Sequence, residues 1–265
     1  MTVSYASETE LTPQVILITG ATGAIGGALA RRYAKNGVLL HLHGRNQALL
    51  NGIAEECRGL GAKVNTHSIS LLDSMALRRW LDELDTNSPL DIFIACAGVN
   101  INIGTDMSGE KLDDMIGLLD LNVKATLLMS GQIAGFMRQR QSGKIGLLSS
   151  LAGYYGLPLT PSYSASKAAV KAYGEALGGW LAPYNVHVTV IMPGYVDSVM
   201  CSEMPGPKPF LWQPEKAAAV ICRAIAAQRA RVTFPFPLNL GCWFLSVLPS
   251  GISARILKLL NYTGQ

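Results

Sequence analysis

The chain has 265 residues with 49% hydrophobic content, which is enough to bury the core of a single α/β domain. Its formal net charge of +4 is spread thinly, without a run rich in Lys and Arg, and this excludes the usual signature of a nucleic-acid-binding protein. The five cysteines are odd in number and lack C-x-x-C spacing, which argues against a disulfide framework and against a zinc site.

The first 13 residues are polar and acidic, unlike a signal peptide, and no stretch reaches 18 uninterrupted apolar residues. We therefore expect a cytoplasmic protein without a membrane-spanning helix and without a resident metal ion. Residues 1–13 are predicted to form a flexible N-terminal arm.

Short apolar runs alternate with helical segments along the rest of the chain. The predicted strands begin at residues 15, 38, 63, 90, 143, 186 and 231 and read VILIT, VLLHLHGR, KVNTHSISL, LDIFIACAG, GKIGLLSS, VHVTVIMPG and RVTFPF. Long helices are predicted near residues 111–139 and 163–182. Apolar strands joined by helices indicate a parallel sheet covered on both faces. The sequence therefore predicts an α/β fold with a single-domain, doubly wound, Rossmann-like sheet of about seven strands.

A glycine-rich turn, GATGAIGG, joins the first predicted strand to the first helix. Strand, glycine turn and helix form the setting in which a pyrophosphate binds to the backbone N–H groups of a helix N-terminus. The residues predicted to hold a dinucleotide here are Gly20, Thr22, Gly23, Ala24, Ile25 and Gly26.

Tyr163 and Lys167 are four residues apart in a predicted helix, so their side chains face the same way. A neighbouring cation is expected to lower the pKa of the tyrosine from its reference of about 10. Ser150, at the end of the fifth predicted strand, would hold by hydrogen bond the same oxygen to which Tyr163 gives a proton. These three residues indicate proton transfer at a carbonyl or alcohol oxygen.

In this order and spacing, the motifs resemble those of the classical short-chain dehydrogenase/reductase family over about residues 14–230. The matching segments are TGATGAIG, ACAG at 95–98, Asn122 in LNVKA, SS at 149 and 150, YSASK at 163–167 and PGYVDS at 193–198. The resemblance implies an NAD(P)-dependent oxidoreductase that acts on a CH–OH or C=O group, built as a homodimer or homotetramer.

The resemblance also implies a role for each matching residue. Tyr163 would be the acid/base, Ser150 would position the substrate oxygen, and Lys167 would lower the Tyr163 pKa while binding the nicotinamide ribose. Asn122 would hold a water in the proton relay. The further cofactor-binding residues that it implies are Ser70, Leu71, Ala97, Gly98, Pro193, Gly194, Val196 and Ser198.

Three segments depart from the family pattern. Ala24 stands where the turn usually has its middle glycine, and TGATGAIG is similar to the extended branch that includes nucleotide-sugar epimerases. ACAG replaces NNAG, and we interpret its Cys96 as a small buried residue rather than a reactive thiol. Ser70 stands where the family often has an aspartate that touches adenine.

The end of the second predicted strand favours NADP(H) over NAD(H), although NAD(H) stays open. NAD-dependent members of the family commonly place an acid there, whereas this chain has Gly44 followed by Arg45. A carboxylate would repel a 2'-phosphate, and an arginine offers it a forked, charge-assisted partner.

Residues 238–265 form an apolar extension of the predicted domain over residues 14–237. Its apolar stripe with Arg255 and Lys258 leaves three interpretations open: a substrate lid, a subunit contact, or peripheral attachment to a membrane. Met and aromatic residues in the loop over 199–213 suggest an apolar or bulky substrate.

We expect the chain to catalyse NADPH-dependent reduction of a ketone or aldehyde, or the reverse oxidation of an alcohol. A nucleotide-sugar epimerase or dehydratase is the closest alternative enzyme, and the TGATGAIG turn of this chain is the feature that suggests this alternative. A non-catalytic sensor that binds NADP is the alternative from another class, and the intact Ser150, Tyr163 and Lys167 argue against it.

Overall fold

Seven parallel strands form one sheet in the order β3-β2-β1-β4-β5-β6-β7. The strands are β1 (Gln14–Thr19), β2 (Val38–His43), β3 (Lys63–His67), β4 (Ile92–Ala95), β5 (Gly143–Leu148), β6 (Val186–Pro193) and β7 (Arg231–Phe234). The computed structural model describes residues 14–104, 106–204, 206–260 and 262, so the predicted N-terminal arm lies outside the described residues. The sheet confirms the predicted doubly wound, Rossmann-like α/β fold.

Ten α-helices accompany the strands in the described part of the chain. They are α1 (Ala24–Tyr33), α2 (Gln47–Gly59), α3 (Ser74–Asn87), α4 (Leu112–Leu119), α5 (Thr126–Arg140), α6 (Pro161–Leu181), α7 (Val199–Ser202), α8 (Pro214–Ala226), α9 (Leu238–Val247) and α10 (Ser250–Leu259). A π-helical segment, Asp120–Ala125, joins α4 to α5. The stretch predicted as one long helix near 111–139 is therefore two α-helices with a wider turn between them.

The two faces of the sheet are covered by different helices. Ile16 and Ile18 of β1 pack into a cluster with α1, α2 and α8, whereas Leu17 packs into a second cluster with α3, α5 and α6. Because both faces are buried, the strand is continuously apolar from Val15 to Ile18 instead of alternating with polar residues. This explains why the strands were recognisable in the sequence as short continuous apolar runs.

The order of the strands creates a crevice at the carboxyl ends of β1 and β4. From β1, the sheet continues in one direction through β2 and β3. It continues in the opposite direction through β4, β5, β6 and β7. β1 and β4 pair in register up to Thr19 and Ala95, so both strands end at the same level. Ligands of open α/β sheets bind at such a reversal of strand order. The glycine turn and the ACAG segment both begin at this crevice.

The apolar extension folds into the short helices α9 and α10, which follow β7. Ser253 of α10 is fully buried, and its hydroxyl donates a hydrogen bond to the Leu245 carbonyl of α9 at 2.8 Å. This bond and the apolar contacts between the helices hold the two as a pair. Of the helices that the structure describes, none combines the length and the apolar character needed to span a membrane.

A buried polar cluster lies between β2, β3 and α3. Trp80 donates its indole N–H to His67 Nδ1 at 3.1 Å, and His67 Nε2 lies 3.0 Å from His41 Nδ1. Because His67 Nδ1 accepts this bond, the neutral ring carries its proton on Nε2 and donates it to His41. Burial lowers the pKa of His67 to about 4 and also lowers the pKa values of His41 and His43. The three histidines are therefore neutral at pH 7.

We predict that the free energy of unfolding declines as the pH falls from about 7 to about 5. Histidines of the unfolded chain titrate near 6.5, whereas burial lowers these three pKa values in the fold, so the unfolded chain binds more protons in this window. The stability is therefore present above about pH 6.5 and is lost below it, by up to about 1.4 kcal/mol per pH unit and histidine. Urea denaturation across this range measures the slope.

A matched pair of variants identifies the source of this slope. His67→Gln removes one of the buried titrating groups and should flatten the decline, whereas His187→Gln on β6, outside the cluster, should keep it. Equal slopes for both variants would show that the cluster does not control the acid sensitivity.

Candidate active site

The N-terminus of α6 is fixed by a carboxylate from a distant loop. Pro161 occupies its first turn, where a missing N–H costs nothing. Glu110 accepts hydrogen bonds from the Ser162 backbone N–H at 3.1 Å and from the Ser162 hydroxyl. A negative charge at this end is also favoured by the helix dipole. The next residue is Tyr163, so this cap positions the first turn that carries the predicted acid.

Ser150, Tyr163 and Lys167 come together at the carboxyl end of β5. The Ser150 hydroxyl lies beside Tyr163 and accepts from the Ala152 N–H at 3.1 Å, and the Lys167 ammonium lies 5.5 Å from the centre of the Tyr163 ring. Ser149 points the other way and donates to the Lys167 backbone carbonyl at 2.7 Å. The structure thus separates two adjacent serines: Ser149 anchors α6, and Ser150 faces the site.

Burial dominates the electrostatics of this trio. It raises the pKa of Tyr163 to about 12, even though the neighbouring Ser150 hydroxyl acts in the opposite direction. It also lowers the pKa of Lys167 to about 8. The expectation that Lys167 lowers the Tyr163 pKa is therefore wrong for the chain by itself. The Lys167 ammonium donates to the Leu148 carbonyl at 2.9 Å, and its attraction does not offset the loss of water around a phenolate.

Asn122 lies in the π-helical segment and connects three parts of the site. Its amide oxygen accepts from the Val99 N–H at 2.9 Å, and its amide N–H₂ donates to the Val99 carbonyl at 2.8 Å and to the Ser166 hydroxyl at 3.2 Å. A Cβ added to Gly98 would lie 3.0 Å from the Asn122 amide oxygen. Asn122 therefore holds the segment after β4 against α6. Its role in a water relay stays a prediction.

The turn after β1 has the shape of a phosphate cradle. Gly20 has a φ of +68°, and an added Cβ would lie 2.7 Å from the Ala97 backbone nitrogen, so only glycine fits. A Cβ on Gly26 would overlap the Gly20 carbonyl. Gly23 is the N-cap of α1 and Ala24 its first residue. The first-turn N–H groups of α1 are therefore available to an anion, and the chain fits the pyrophosphate of a dinucleotide.

The predicted ribose and adenine contacts follow β2 and β3. Gly44 lies so close to Thr22 that an added Cβ would be 2.7 Å from the Thr22 methyl group, so a side chain at this position would require Thr22 to move. Arg45 is exposed, and no hydrogen bond or ion pair to it is found among the described residues. Ser70 is exposed and Leu71 is buried next to it.

The end of β6 turns past the catalytic residues. The Gly194 N–H donates to the Phe234 carbonyl at 2.7 Å, and an added Cβ would lie 3.0 Å from Leu238 of α9. The Ser198 hydroxyl donates to the Val196 carbonyl and accepts from the Cys201 N–H, each at 3.1 Å, and so begins α7. Its predicted bond to a carboxamide stays a prediction.

Cys96 follows β4 beside the trio. Burial raises its pKa to about 12, so the thiolate that reacts as a nucleophile is not formed at neutral pH. This supports the interpretation of Cys96 as a small packing residue.

A cavity of about 390 Å³ opens above the catalytic residues. The sequence-predicted residues that line it are Ile25, Gly98, Ser150, Tyr163, Lys167, Pro193, Gly194, Val196 and Ser198. The other predicted cofactor residues lie outside its lining: Gly20, Thr22, Gly23, Ala24 and Gly26 at the turn after β1, Ala97 after β4, and Arg45, Ser70 and Leu71 after β2 and β3. This division fits a long cofactor whose reactive end reaches the cavity.

Sequence reasoning missed four hydroxyl-bearing residues that also line the cavity, namely Tyr155, Thr160, Tyr195 and Tyr262. Tyr195 could have been found, because it lies between Gly194 and Val196 in the PGYVDS motif. Tyr262 carried no signal in a tail without a recognisable motif. Glu110, which fixes the start of α6, was also missed because it belongs to no recognisable motif.

The family model described as short chain dehydrogenase matches residues 14–207. The chain belongs to the classical short-chain dehydrogenase/reductase family. This family consists of NAD(P)-binding oxidoreductases, and the glycine cradle and the Ser150, Tyr163 and Lys167 trio are the parts of the structure that fit this chemistry.

The chain is similar in sequence to several known proteins and similar in fold to several solved structures. It is 30% identical to an uncharacterized oxidoreductase of Myxococcus xanthus over 255 residues, which is 94% of this chain and 99% of the relative. It is 29% identical to a 3-oxoacyl-(acyl-carrier-protein) reductase of Rickettsia felis over 197 residues, or 74% and 78% of the two chains. The fold is similar to a short-chain dehydrogenase from Sphingobium yanoikuyae in complex with NADPH, with a TM-score of 0.76, 20% identity and coverage of 92% and 95%.

We predict that Asn122→Ala lowers the free energy of unfolding by about 2 to 3 kcal/mol. The variant loses the bonds to Val99 and Ser166, and each buried hydrogen bond contributes about 1 kcal/mol. Urea denaturation of Asn122→Ala measures the loss. Asn51→Ala on the exposed face of α2 is the matched control and should stay within about 0.5 kcal/mol of the original chain. A similarly small change for Asn122→Ala would contradict its role as a connector.

Proposed function

We propose that this short-chain dehydrogenase/reductase is an NADP(H)-dependent carbonyl reductase that converts a ketone or aldehyde to an alcohol, or catalyses the reverse oxidation. The observation that carries the proposal is the convergence of Ser150, Tyr163 and Lys167 on one cavity at the carboxyl ends of the strands. The similarity to a 3-oxoacyl-(acyl-carrier-protein) reductase, whose name describes a carbonyl reduction, supports this direction of chemistry.

The trio suits the protonation of a carbonyl oxygen. The Ser150 hydroxyl, beside Tyr163, would donate a hydrogen bond to the substrate oxygen and fix its position. Tyr163 would give its proton to the same oxygen, and burial keeps this phenol protonated at neutral pH. When bound, the nicotinamide supplies the hydride for the carbonyl carbon. The residues that would hold the cofactor are those of the glycine cradle together with Lys167, Pro193 and Gly194.

Lys167 would assist through its charge. Its ammonium faces the cavity and lies beside the Tyr163 ring, so it would stabilise the phenolate that remains after proton transfer. It is held there by the Leu148 carbonyl. A lowered pKa of about 8 leaves most of this group protonated at pH 7.

The preference for NADP(H) rests on the residues that follow β2. Gly44 carries no acidic side chain that would bind a 2'-hydroxyl, and its close contact with Thr22 disfavours a side chain there. The exposed Arg45 guanidinium is free to pair with a 2'-phosphate. The NADPH complex of the similarly folded Sphingobium yanoikuyae protein agrees with this preference.

The other two candidate functions have less support. An epimerase or dehydratase rests only on the spacing of the glycine turn, in which Gly23 caps α1 and Ala24 begins it. A binding sensor without turnover would not require a proton donor, a hydroxyl partner and a buried ammonium around one cavity.

Cellular location and assembly stay predictions. The exposed apolar residues Leu112, Ile116 and Leu119 of α4 support pairing of subunits through this helix. Peripheral membrane contact through residues 238–265 also stays a prediction without support from the fold, and the exposed Trp243 of α9 does not decide it.

We predict that Tyr163→Phe lowers kcat for carbonyl reduction by roughly 100-fold or more, because the variant loses the proton donor but keeps the shape of the side chain. NADPH oxidation with a panel of ketones and aldehydes measures turnover, and titration of NADPH by fluorescence measures binding. Tyr173→Phe, on the same helix, is the matched control. Equal turnover of Tyr163→Phe and the original chain would refute the proposed chemistry, and NADPH binding without turnover of any carbonyl would favour the sensor.

We predict that Arg45→Asp lowers kcat/KM for NADPH by roughly 10- to 100-fold, while kcat/KM for NADH holds or rises. A hydrogen bond to a charged partner contributes about 1.5 to 3 kcal/mol, and the new carboxylate would also repel the phosphate. Arg79→Asp, an exposed position on α3, controls for the change in net charge. A preference of the original chain for NADH would refute the assignment of NADP(H).

A further inference from the structure

The helices α9 and α10 form the roof of the cavity above the catalytic residues. Leu238, Cys242 and Leu245 of α9 and Ile256 and Leu257 of α10 line it. Opposite the roof lie Ser150 and Tyr163, and side walls come from the loop before α6 and from the segment around α7. We refer to α9 and α10 together as the lid. The family model ends at residue 207, so the lid lies beyond the region that it matches.

The lining carries almost no charge. Lys167 is the sole charged side chain that lines the cavity in the described part of the chain, and it is committed to the catalytic floor. Leu157, Leu159, Met200 and Met204 continue the apolar surface down the walls. A buried carboxylate or phosphate without an opposite charge would be strongly disfavoured here. The surface beyond the reacting carbonyl therefore suits an uncharged hydrocarbon group.

The lid is fastened to the rest of the site by tyrosines. The Tyr195 hydroxyl donates to the Tyr262 hydroxyl at 3.2 Å, and Tyr262 donates to the Pro207 carbonyl at 3.1 Å. This chain of bonds connects the end of β6, the loop after α7 and the C-terminal segment. Tyr155 adds a longer contact to the Ser250 carbonyl at 3.5 Å. These bonds hold the roof over the cavity without placing a charge in it.

The apolar space under the lid favours the binding of large substrates over small ones. Its volume of about 390 Å³ would be shared between the reactive end of the cofactor, beside Lys167, Pro193 and Gly194, and the substrate, which would occupy the apolar part lined by α9 and α10. A two- or three-carbon carbonyl compound would reach Ser150 and Tyr163 but leave the apolar lid without a partner. Each buried methylene group strengthens binding by a factor of about four, so a larger hydrocarbon gains most from this roof.

We propose that the lid makes this enzyme selective for bulky, uncharged, apolar ketones, which it encloses between the catalytic floor and the apolar sides of α9 and α10. The inference rests on the proposed carbonyl reduction and adds to it the class of substrate. Leu245 and Leu257 are the buried lid residues that would contact the hydrocarbon group, and Tyr262 is the residue that keeps the lid in place.

Three ketones test the selectivity of the full chain with NADPH: 2-butanone, 2-octanone and 7-oxooctanoate. The last two share their length and their methyl ketone, and differ by a terminal carboxylate. We expect kcat/KM for 2-octanone to exceed that for 2-butanone and that for 7-oxooctanoate by roughly 30-fold or more. Calorimetry with Tyr163→Phe loaded with NADP⁺ measures the dissociation constants of the same compounds without turnover.

A pair of variants on α9 tests whether the lid causes the selectivity. Cys242→Phe fills the cavity from the inner side, and we expect it to lower the ratio of kcat/KM for 2-octanone to that for 2-butanone by roughly 10-fold. Val247→Phe places the same ring on the exposed outer side and should keep this ratio. Tyr262→Phe, which loses the bond to the Pro207 carbonyl, should raise KM for 2-octanone more than it changes kcat.

The possible results separate the two proposals. If all three ketones react with similar kcat/KM, or if Cys242→Phe and Val247→Phe behave alike, the lid proposal is overturned while carbonyl reduction stands. If no ketone is reduced, the proposed function is refuted. The dissociation constants of the three compounds then test the lid proposal independently of turnover. Equal binding or no binding of the three compounds would overturn it in that case.

Discussion

The close packing of α6 against the sheet is the constraint on which the active site depends. A Cβ on Gly174 would lie 2.7 Å from the Val190 side chain, and a Cβ on Gly153 would lie 2.8 Å from the Lys167 carbonyl. These two glycines let the helix approach β6 and the turn after β5 without a side chain between them. The Ser149 hydroxyl then fastens the helix by its bond to the Lys167 carbonyl. Because α6 lies this close, its inward face brings Tyr163 to the Ser150 hydroxyl.

The same burial that brings the trio together determines its charge state. Removal of water disfavours a phenolate and an ammonium alike, so the pKa of Tyr163 rises and that of Lys167 falls. The chain by itself therefore holds a neutral phenol, which is the form that the proposed reduction requires as a proton donor. In the cluster between β2, β3 and α3, burial has a structural rather than a chemical consequence. It keeps His41, His43 and His67 neutral, and His43 bonds to the Ile69 carbonyl just before the predicted adenine contacts.

Much of the fold and of the catalytic set could be predicted from the sequence, because both depend on local patterns. Strands buried on two faces are short apolar runs, and the four-residue spacing of Tyr163 and Lys167 determines that they share a helix face. That spacing says nothing about how deeply the face is buried, so the direction of the Tyr163 pKa was predicted wrongly. The bonds of Asn122 to Val99 join segments distant in sequence, and no local pattern reveals them.

The lid shows why the other features of the site could not be predicted from the hydrophobic pattern of the sequence. The inner side of α9 presents Cys242 and Leu245 to the cavity, while Leu240, Trp243 and Val247 on its outer side are between 42% and 56% exposed. A helix that is apolar all round has no hydrophobic stripe to show which side faces the core. Only the contacts made in the fold, from Ser253 to the Leu245 carbonyl and from Tyr262 to the Pro207 carbonyl, determine its orientation. Because α9 lacks charged residues, the sequence does not show which of its sides faces the cavity. The same lack of charge is what an apolar roof over Ser150 and Tyr163 requires, since a charged inner face would bind water in the space that the substrate needs.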